Sequence, residues 1–348
     1  MNPVLVDVWR GEWVESQHRG SLAVVDADGA LVLALGDIER PVYPRSAVKA
    51  LQALPLVASG AAARFGLSDA ELAQACASHS GEPAHVATSA GLLAKLGLDA
   101  SALECGAHWP RAETQIAAMG ARGETPTALH NNCSGKHAGF VCLGCVLAGE
   151  QECRAFLRGY VEPEHPVMRE VTAALAAATS TDLSRAPVGT DGCSIPTYGI
   201  PLRQLALGFA RFGTGQGLSA DHAQAARRLR QAVAAEPFHV AGTNRLDTVL
   251  MQALGERLFC KVGAEGVYCA ALPERGWGLA IKMDDGNTAR AVEVVLAACV
   301  QALLRLNETE HALLQRHSEL AQRNWNGRLV GRLAATAELR ATLQTLTG

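Results

Sequence analysis

Strand-like alternation sits at both ends of this chain, and helix-like periodicity fills the middle. Residues 22–26 (Leu-Ala-Val-Val-Asp) and Leu31–Leu35 flank Ala27-Asp28-Gly29-Ala30, the pattern of a hairpin turn. Strand signals return at residues 257–262, 266–272 and 276–283, each bounded by turn residues. From about residue 50 to 235 helical spacing prevails, most clearly at 69–77, 83–96, 165–178 and 219–235, and a long amphipathic helix is predicted over 288–306. The expected class is α/β (α+β): one antiparallel sheet built from the two chain ends, flanked by helices, with a largely helical lobe inserted. The expected organisation is a single catalytic domain, 1–348, with a sheet lobe of approximately 1–60 and 245–348 and a helical lobe of approximately 61–244.

Charge and composition narrow the function classes. A formal net charge of −3 provides no electrostatic footprint for nucleic acid. Asp7 and Arg10 come too early for a secretory signal. The most apolar stretch, 291–306, is broken by Glu293, Gln301 and Arg305 and reads as a buried helix, not a membrane span. Ten cysteines without a signal are expected as reduced thiols, which places the protein in the cytoplasm.

Four constellations bear on chemistry. Ser46 and Lys49 form a Ser-x-x-Lys pair at the head of a predicted helix, one turn apart on one face. A serine hydroxyl is a weak nucleophile until a base takes its proton, and a desolvated lysine is such a base; the plain alternative is an N-cap serine followed by a solvated lysine. Ser78-His79-Ser80-Gly81-Glu82 is either a helix stop or a hydroxyl poised to relay a proton. Lys261-Val262-Gly263 ends a predicted strand, as the strand-borne lysine does in serine acyl-transfer enzymes of the penicillin-recognising type.

The fourth is the polar run Asn131-Asn132-Cys133-Ser134-Gly135-Lys136-His137 together with the turn Asp191-Gly192-Cys193. So many polar groups around one glycine have little reason to enter a core, where each needs a partner. Two cysteines on glycine-containing turns beside a lysine and a histidine suit a soft metal such as zinc, or are merely structural. Cys142 and Cys145 form a Cys-x-x-Cys within a wholly apolar stretch and are read as small core residues.

Taken together, Arg45-Ser46-Ala47-Val48-Lys49, Ser78 to Glu82, Asn132 to His137, Asp191-Gly192-Cys193 and Lys261-Val262-Gly263 resemble the rhizobial-type (class 3) L-asparaginases of the asparaginase II family. The likeness runs over nearly the whole chain. It implies a serine β-lactamase/glutaminase-like fold, a homodimer, and hydrolysis of the side-chain amide of L-asparagine. Carried over by motif, Ser46 is the nucleophile with Lys49 as its base, and Ser78 with Lys261 is a second tandem. By the same resemblance, Cys133, Lys136 and Cys193 are expected to hold Zn2+ beside the pocket. The resemblance also implies that Asp191 holds the substrate's α-amino group, with Arg45 and His137 as further substrate contacts. The rival expectations are a glutaminase or penicillin-type serine hydrolase on the same scaffold, a zinc hydrolase, and a non-catalytic amino-acid- or zinc-binding protein.

Overall fold

The computed structural model describes residues 1–346. Its strands, in chain order, are β1 (Val4–Arg10), β2 (Trp13–Asp26), β3 (Leu31–Leu35), β4 (Pro41–Val42), β5 (Val188–Thr190), β6 (Pro196–Tyr198), β7 (Ile200–Pro201), β8 (Phe259–Val262), β9 (Val267–Leu272), β10 (Trp277–Met283), β11 (Glu319–Arg323) and β12 (Leu329–Ala335). Eight of them make one sheet in the order β11-β12-β1-β2-β10-β9-β8, with β3 added alongside β2. Every pairing in it is antiparallel. Two small ladders, β4 with β7 and β5 with β6, lie outside it. The mixed α/β class with an antiparallel sheet drawn from both ends is therefore the observed one.

The 14-residue β2 is the spine of the sheet. Its first half pairs with β1; from Gly20 to Asp26 it pairs with β10. The handover falls on Gly20, where a Cβ would lie 2.5 Å from the Lys282 carbonyl oxygen, so only glycine lets the strands close there. Val24 and Val25 point to opposite faces and both are fully buried, so the sheet is covered on both sides at this point. Helix Leu202–Thr214 packs on β2, β9 and β10, while helix Glu293–Leu303 meets β1 and β12. Ala206 comes so close to Gly278 that a Cβ there would strike its carbonyl oxygen.

The helices fall where periodicity puts them, with local chemistry setting their ends. Ser68 and Glu71 close a capping box on helix Asp69–Ala75. His165 caps Pro166–Thr179 by accepting from the Val167 N–H, and Ser219 caps Ala220–Ala235 by accepting from His222. The helix expected over 288–306 opens as a π-helical turn, Thr288–Val292, before Glu293–Leu303. Strands β11 and β12 carry no clear strand signal in the sequence: β11 reads Glu-Leu-Ala-Gln-Arg, half polar because it is a sheet edge.

One expectation about the cysteines needs correction. Cys145 and Cys153 form a disulfide, so not all ten are reduced, and Cys145 is more than a core-filling residue. Helix Ser134–Leu147 ends and the chain folds straight back into helix Cys153–Phe156, which brings the two Cα atoms within 5.1 Å. The other eight are free and buried, Cys142 among them. Among the described residues, no helix is long and apolar enough to cross a membrane.

Candidate active site

The site begins at a strained turn. Arg45 has φ +50°, a left-handed conformation that costs a non-glycine residue about 1–2 kcal/mol, and it follows Pro44 directly. Its guanidinium is clamped on Asp191, with Nη2 at 2.6 Å and Nε at 2.7 Å from Oδ1. Ser46 comes next, half-buried within the 3-10 turn Arg45–Val48 that leads into helix Lys49–Gln52. Its hydroxyl makes no hydrogen bond among the described residues.

Lys49 stands one turn on, 1% exposed, but its amine reaches past Ser46. Nζ lies 2.6 Å from the Ala77 carbonyl oxygen, 2.9 Å from Ser78 Oγ and 3.1 Å from Cys133 Sγ. Burial lowers the pKa of this amine, the Cys133 sulfur pulls it partly back, and the charge on Lys136 lowers it again. Ser78 is held in place by its N–H to Val240 O at 2.9 Å and by the next N–H, from His79 to Asn132 O, at 3.2 Å.

Lys261 is fully buried on β8, and its Nζ donates to the carbonyl of Val262 at 2.7 Å. Burial, opposed by Asp247 and reinforced by the like charge of Lys49, brings its pKa down to about 7. Hydrogen bonds thus tie Lys49 to Ser78; they tie neither Ser46 to Lys49 nor Ser78 to Lys261. Gly263 lets the end of β8 approach the Pro44 turn: a Cβ there would sit 2.7 Å from the Pro44 carbonyl oxygen.

Cys133, at the start of helix Ser134–Leu147, and Cys193, on the turn after β5, bring their sulfurs together. Lys136 Nζ lies 3.0 Å from Cys193 Sγ. The hydrogen bond from Cys193 holds the Cys133 thiol well below its usual pKa against the effect of burial, and the two lysines add to it; Cys193 is raised as the donor of that bond. Burial works to lower Lys136, but the sulfurs of Cys193 and Cys133 outweigh it and raise its pKa. For Asp191, burial is outweighed by Lys136 and Arg45, and the carboxyl is lowered.

Arg45, Ser46, Ser78, Cys133, Asp191 and Cys193 all line one cavity of about 390 Å3, a volume suited to a small ligand. Lys49, Lys136 and Lys261 lie beneath its wall, each no more than 2% exposed. His137 is placed elsewhere: fully buried, off the cavity wall, with Nδ1 2.6 Å from the Tyr160 hydroxyl. The cavity also includes residues to which the sequence reading gave no role. His108 accepts from the Asn132 N–H at 2.8 Å, Asn131 Oδ1 accepts from Cys133 N at 2.8 Å, and Arg111 arrives on a loop. Only Asn131 and Asn132 had a sequence signal, as part of the polar run.

The sequence profile of the L-asparaginase II family matches residues 6–335. The chain belongs to the L-asparaginase II family. Family membership supports an amidohydrolase acting on a small amide. A comparison with curated proteins returns no match. Among solved structures, a β-lactamase from Mycobacterium bovis aligns at 15% identity with a TM-score of 0.38, covering 81% of this chain and 93% of that one. A candidate β-lactamase from Bacteroides dorei DSM 17855 aligns at 15% identity with a TM-score of 0.39, covering 78% and 86%. Similarity this distant carries no argument about the chemistry of the L-asparaginase II family member described here.

Proposed function

We propose that this protein hydrolyses the side-chain amide of L-asparagine to aspartate and ammonia through an ester on Ser46. The observation that carries this reading is the buried Lys49 amine, kept toward its neutral form and hydrogen-bonded to Ser78, one helical turn below the unengaged Ser46 hydroxyl on the same cavity. Ser46 Oγ attacks the amide carbon, and its proton passes to Lys49, directly or through Ser78. In this reading the Ser46 N–H, at a helix start where N–H groups lack intrahelical partners, donates to the oxyanion; such donors contribute about 3 kcal/mol each.

The proton returns to the amide nitrogen, the C–N bond breaks and ammonia departs. Water then cleaves the ester by the same route in reverse. Lys261 lies within electrostatic reach of Lys49, whose charge helps lower the Lys261 pKa. Asp191 binds the α-ammonium group of the substrate: Arg45 and the Gly192 N–H at 2.7 Å all meet its Oδ1, which leaves Oδ2 for the substrate.

Cys133, Lys136 and Cys193 fit a zinc ion: two sulfurs and one amine converge at the cavity wall, with the Cys133 thiol already shifted toward its thiolate. Lys136 must first give up its proton, and no cluster of three His, Cys, Asp or Glu offers an alternative set among the described residues. Bound there, zinc supplies a Lewis-acidic point that orients the substrate. We take the protein as a homodimer, by its family resemblance.

Ammonia release from asparagine and glutamine, and ring opening of a β-lactam, each with and without chelator, test the reading. Turnover of asparagine that exceeds the other two and survives chelation is expected. Tight asparagine binding without ammonia would leave a binding protein instead, and preference for glutamine or the β-lactam would hand the site to those rivals.

A further inference from the structure

We propose that Arg111 binds the α-carboxylate of the substrate, which restricts the site to side-chain amides of free α-amino acids. This rests on the amidohydrolase reading of the same cavity and names the group that reads the other end of the substrate.

An α-amino acid brings both charges, and the cavity wall carries three charged side chains, Arg45, Asp191 and Arg111. Arg45 is spent on Asp191, its Nε and Nη2 both on Oδ1. That pair leaves an acceptor for an ammonium group but no free cation for a carboxylate. Arg111 supplies one. Its guanidinium has no ion pair and no hydrogen bond among the described residues, although it is close enough to Cys133 and Lys261 to act on both electrostatically. An unengaged guanidinium on a cavity wall offers a planar fork of donors that matches a carboxylate with two parallel hydrogen bonds.

The loop that carries Arg111 is tied to the catalytic segment. The Arg111 N–H donates to Ser80 O at 3.0 Å, two residues beyond Ser78. Pro110 packs on Gly81, whose φ is +74°; a Cβ there would lie 3.2 Å from the proline and 2.9 Å from the His130 carbonyl oxygen. The backbone that carries Arg111 is therefore set by the same turn that sets Ser78.

The test compares Arg111→Met and Arg111→Lys with the wild type, using L-asparagine and its α-methyl ester, which lacks the carboxylate charge. Arg111→Met should raise KM for asparagine roughly thirtyfold or more with little change in kcat, the loss on the ester should be at least about tenfold smaller, and lysine should restore part of the difference. Equal losses on both substrates, or an unchanged KM for asparagine, overturn the proposal. Calorimetric binding of L-aspartate reads the carboxylate contact without turnover: weaker binding to Arg111→Met supports it and equal binding overturns it, even if the wild type released no ammonia. That last result would sink the hydrolase reading by itself.

Discussion

Lys49 Nζ lies 2.9 Å from Ser78 Oγ, 29 positions away in the chain, while Ser46, three positions before it, has no side-chain hydrogen bond among the described residues. A lysine amine with three neighbours, Ala77 O, Ser78 Oγ and Cys133 Sγ, is held at one point beneath the cavity instead of sweeping through solvent. As a neutral amine it donates to two of them and accepts the Ser78 proton.

The first prediction concerns that amine. Lys49→Met should reduce ammonia release by about three orders of magnitude or more, since a serine without its base is barely nucleophilic. Ser46→Ala should do the same with unchanged thermal stability, because the hydroxyl holds nothing in the fold. Peptide mass spectrometry after acid quench should locate the ester on Ser46. An ester found on Ser78 would reverse the roles of the two serines.

Lys261 predicts a pH dependence of stability. Its pKa is about 7 in the folded chain against about 10.4 when unfolded. Between those values the unfolded chain holds a proton that the native one lacks, so this residue makes stability rise with pH from about 7 toward 10. Below about 7 both states are protonated and the full cost of the buried charge persists. Relative to wild type, Lys261→Met should gain most stability in urea titrations below pH 7, and the gain should shrink toward pH 10. A pH-independent difference would contradict the assignment.

Gly263→Ala should damage both stability and rate. Its Cβ would meet the Pro44 carbonyl oxygen at 2.7 Å and Val267 Cβ at 3.0 Å, and the first contact is with backbone, which yields poorly. We expect a stability loss of about 1–3 kcal/mol by denaturant melt. Because the displaced turn carries Arg45 and Ser46, kcat should also fall, on the order of 100-fold for an ångström of misplacement.

The metal prediction separates two chemistries. Cys193→Ala should reduce bound zinc, measured by mass spectrometry of the metal, and weaken asparagine turnover without abolishing it. Chelation should act in the same direction. Complete loss on chelation, restored by zinc alone, would transfer the nucleophile's role from Ser46 to a metal-bound water.

Much of the fold was legible because burial repeats along the chain. Residues such as Leu22 to Val25 and helices such as Ala220–Ala235 carry their environment in their spacing. The edge pair β11–β12 was not, since an edge strand is half solvated and loses the apolar run that marks a central one. Among the site residues, those in compact motifs were visible, a Ser-x-x-Lys pair or a polar run around glycine: Ser46, Ser78, Cys133, Asp191 and Cys193 do meet on one cavity. Arg111 and His108 were not, because a lone cation or imidazole in a loop looks the same whether it faces water or substrate. His137 sat inside the most telling motif, yet the helix turns it inward to Tyr160.

By itself, then, the sequence determined most of the elements, the sheet made from two distant ends, and a short set of reactive side chains, all properties that local spacing and residue chemistry encode. Only the tertiary structure decided which amine meets which hydroxyl, that Arg45 is occupied by Asp191, and that Cys145 finds Cys153. Those pairings depend on where a long side chain ends, and that is set by the packing of segments far apart in the chain. Lys49 shows the reason: one turn from Ser46 along a helix, its four-carbon stem still carries the amine to a partner on another segment.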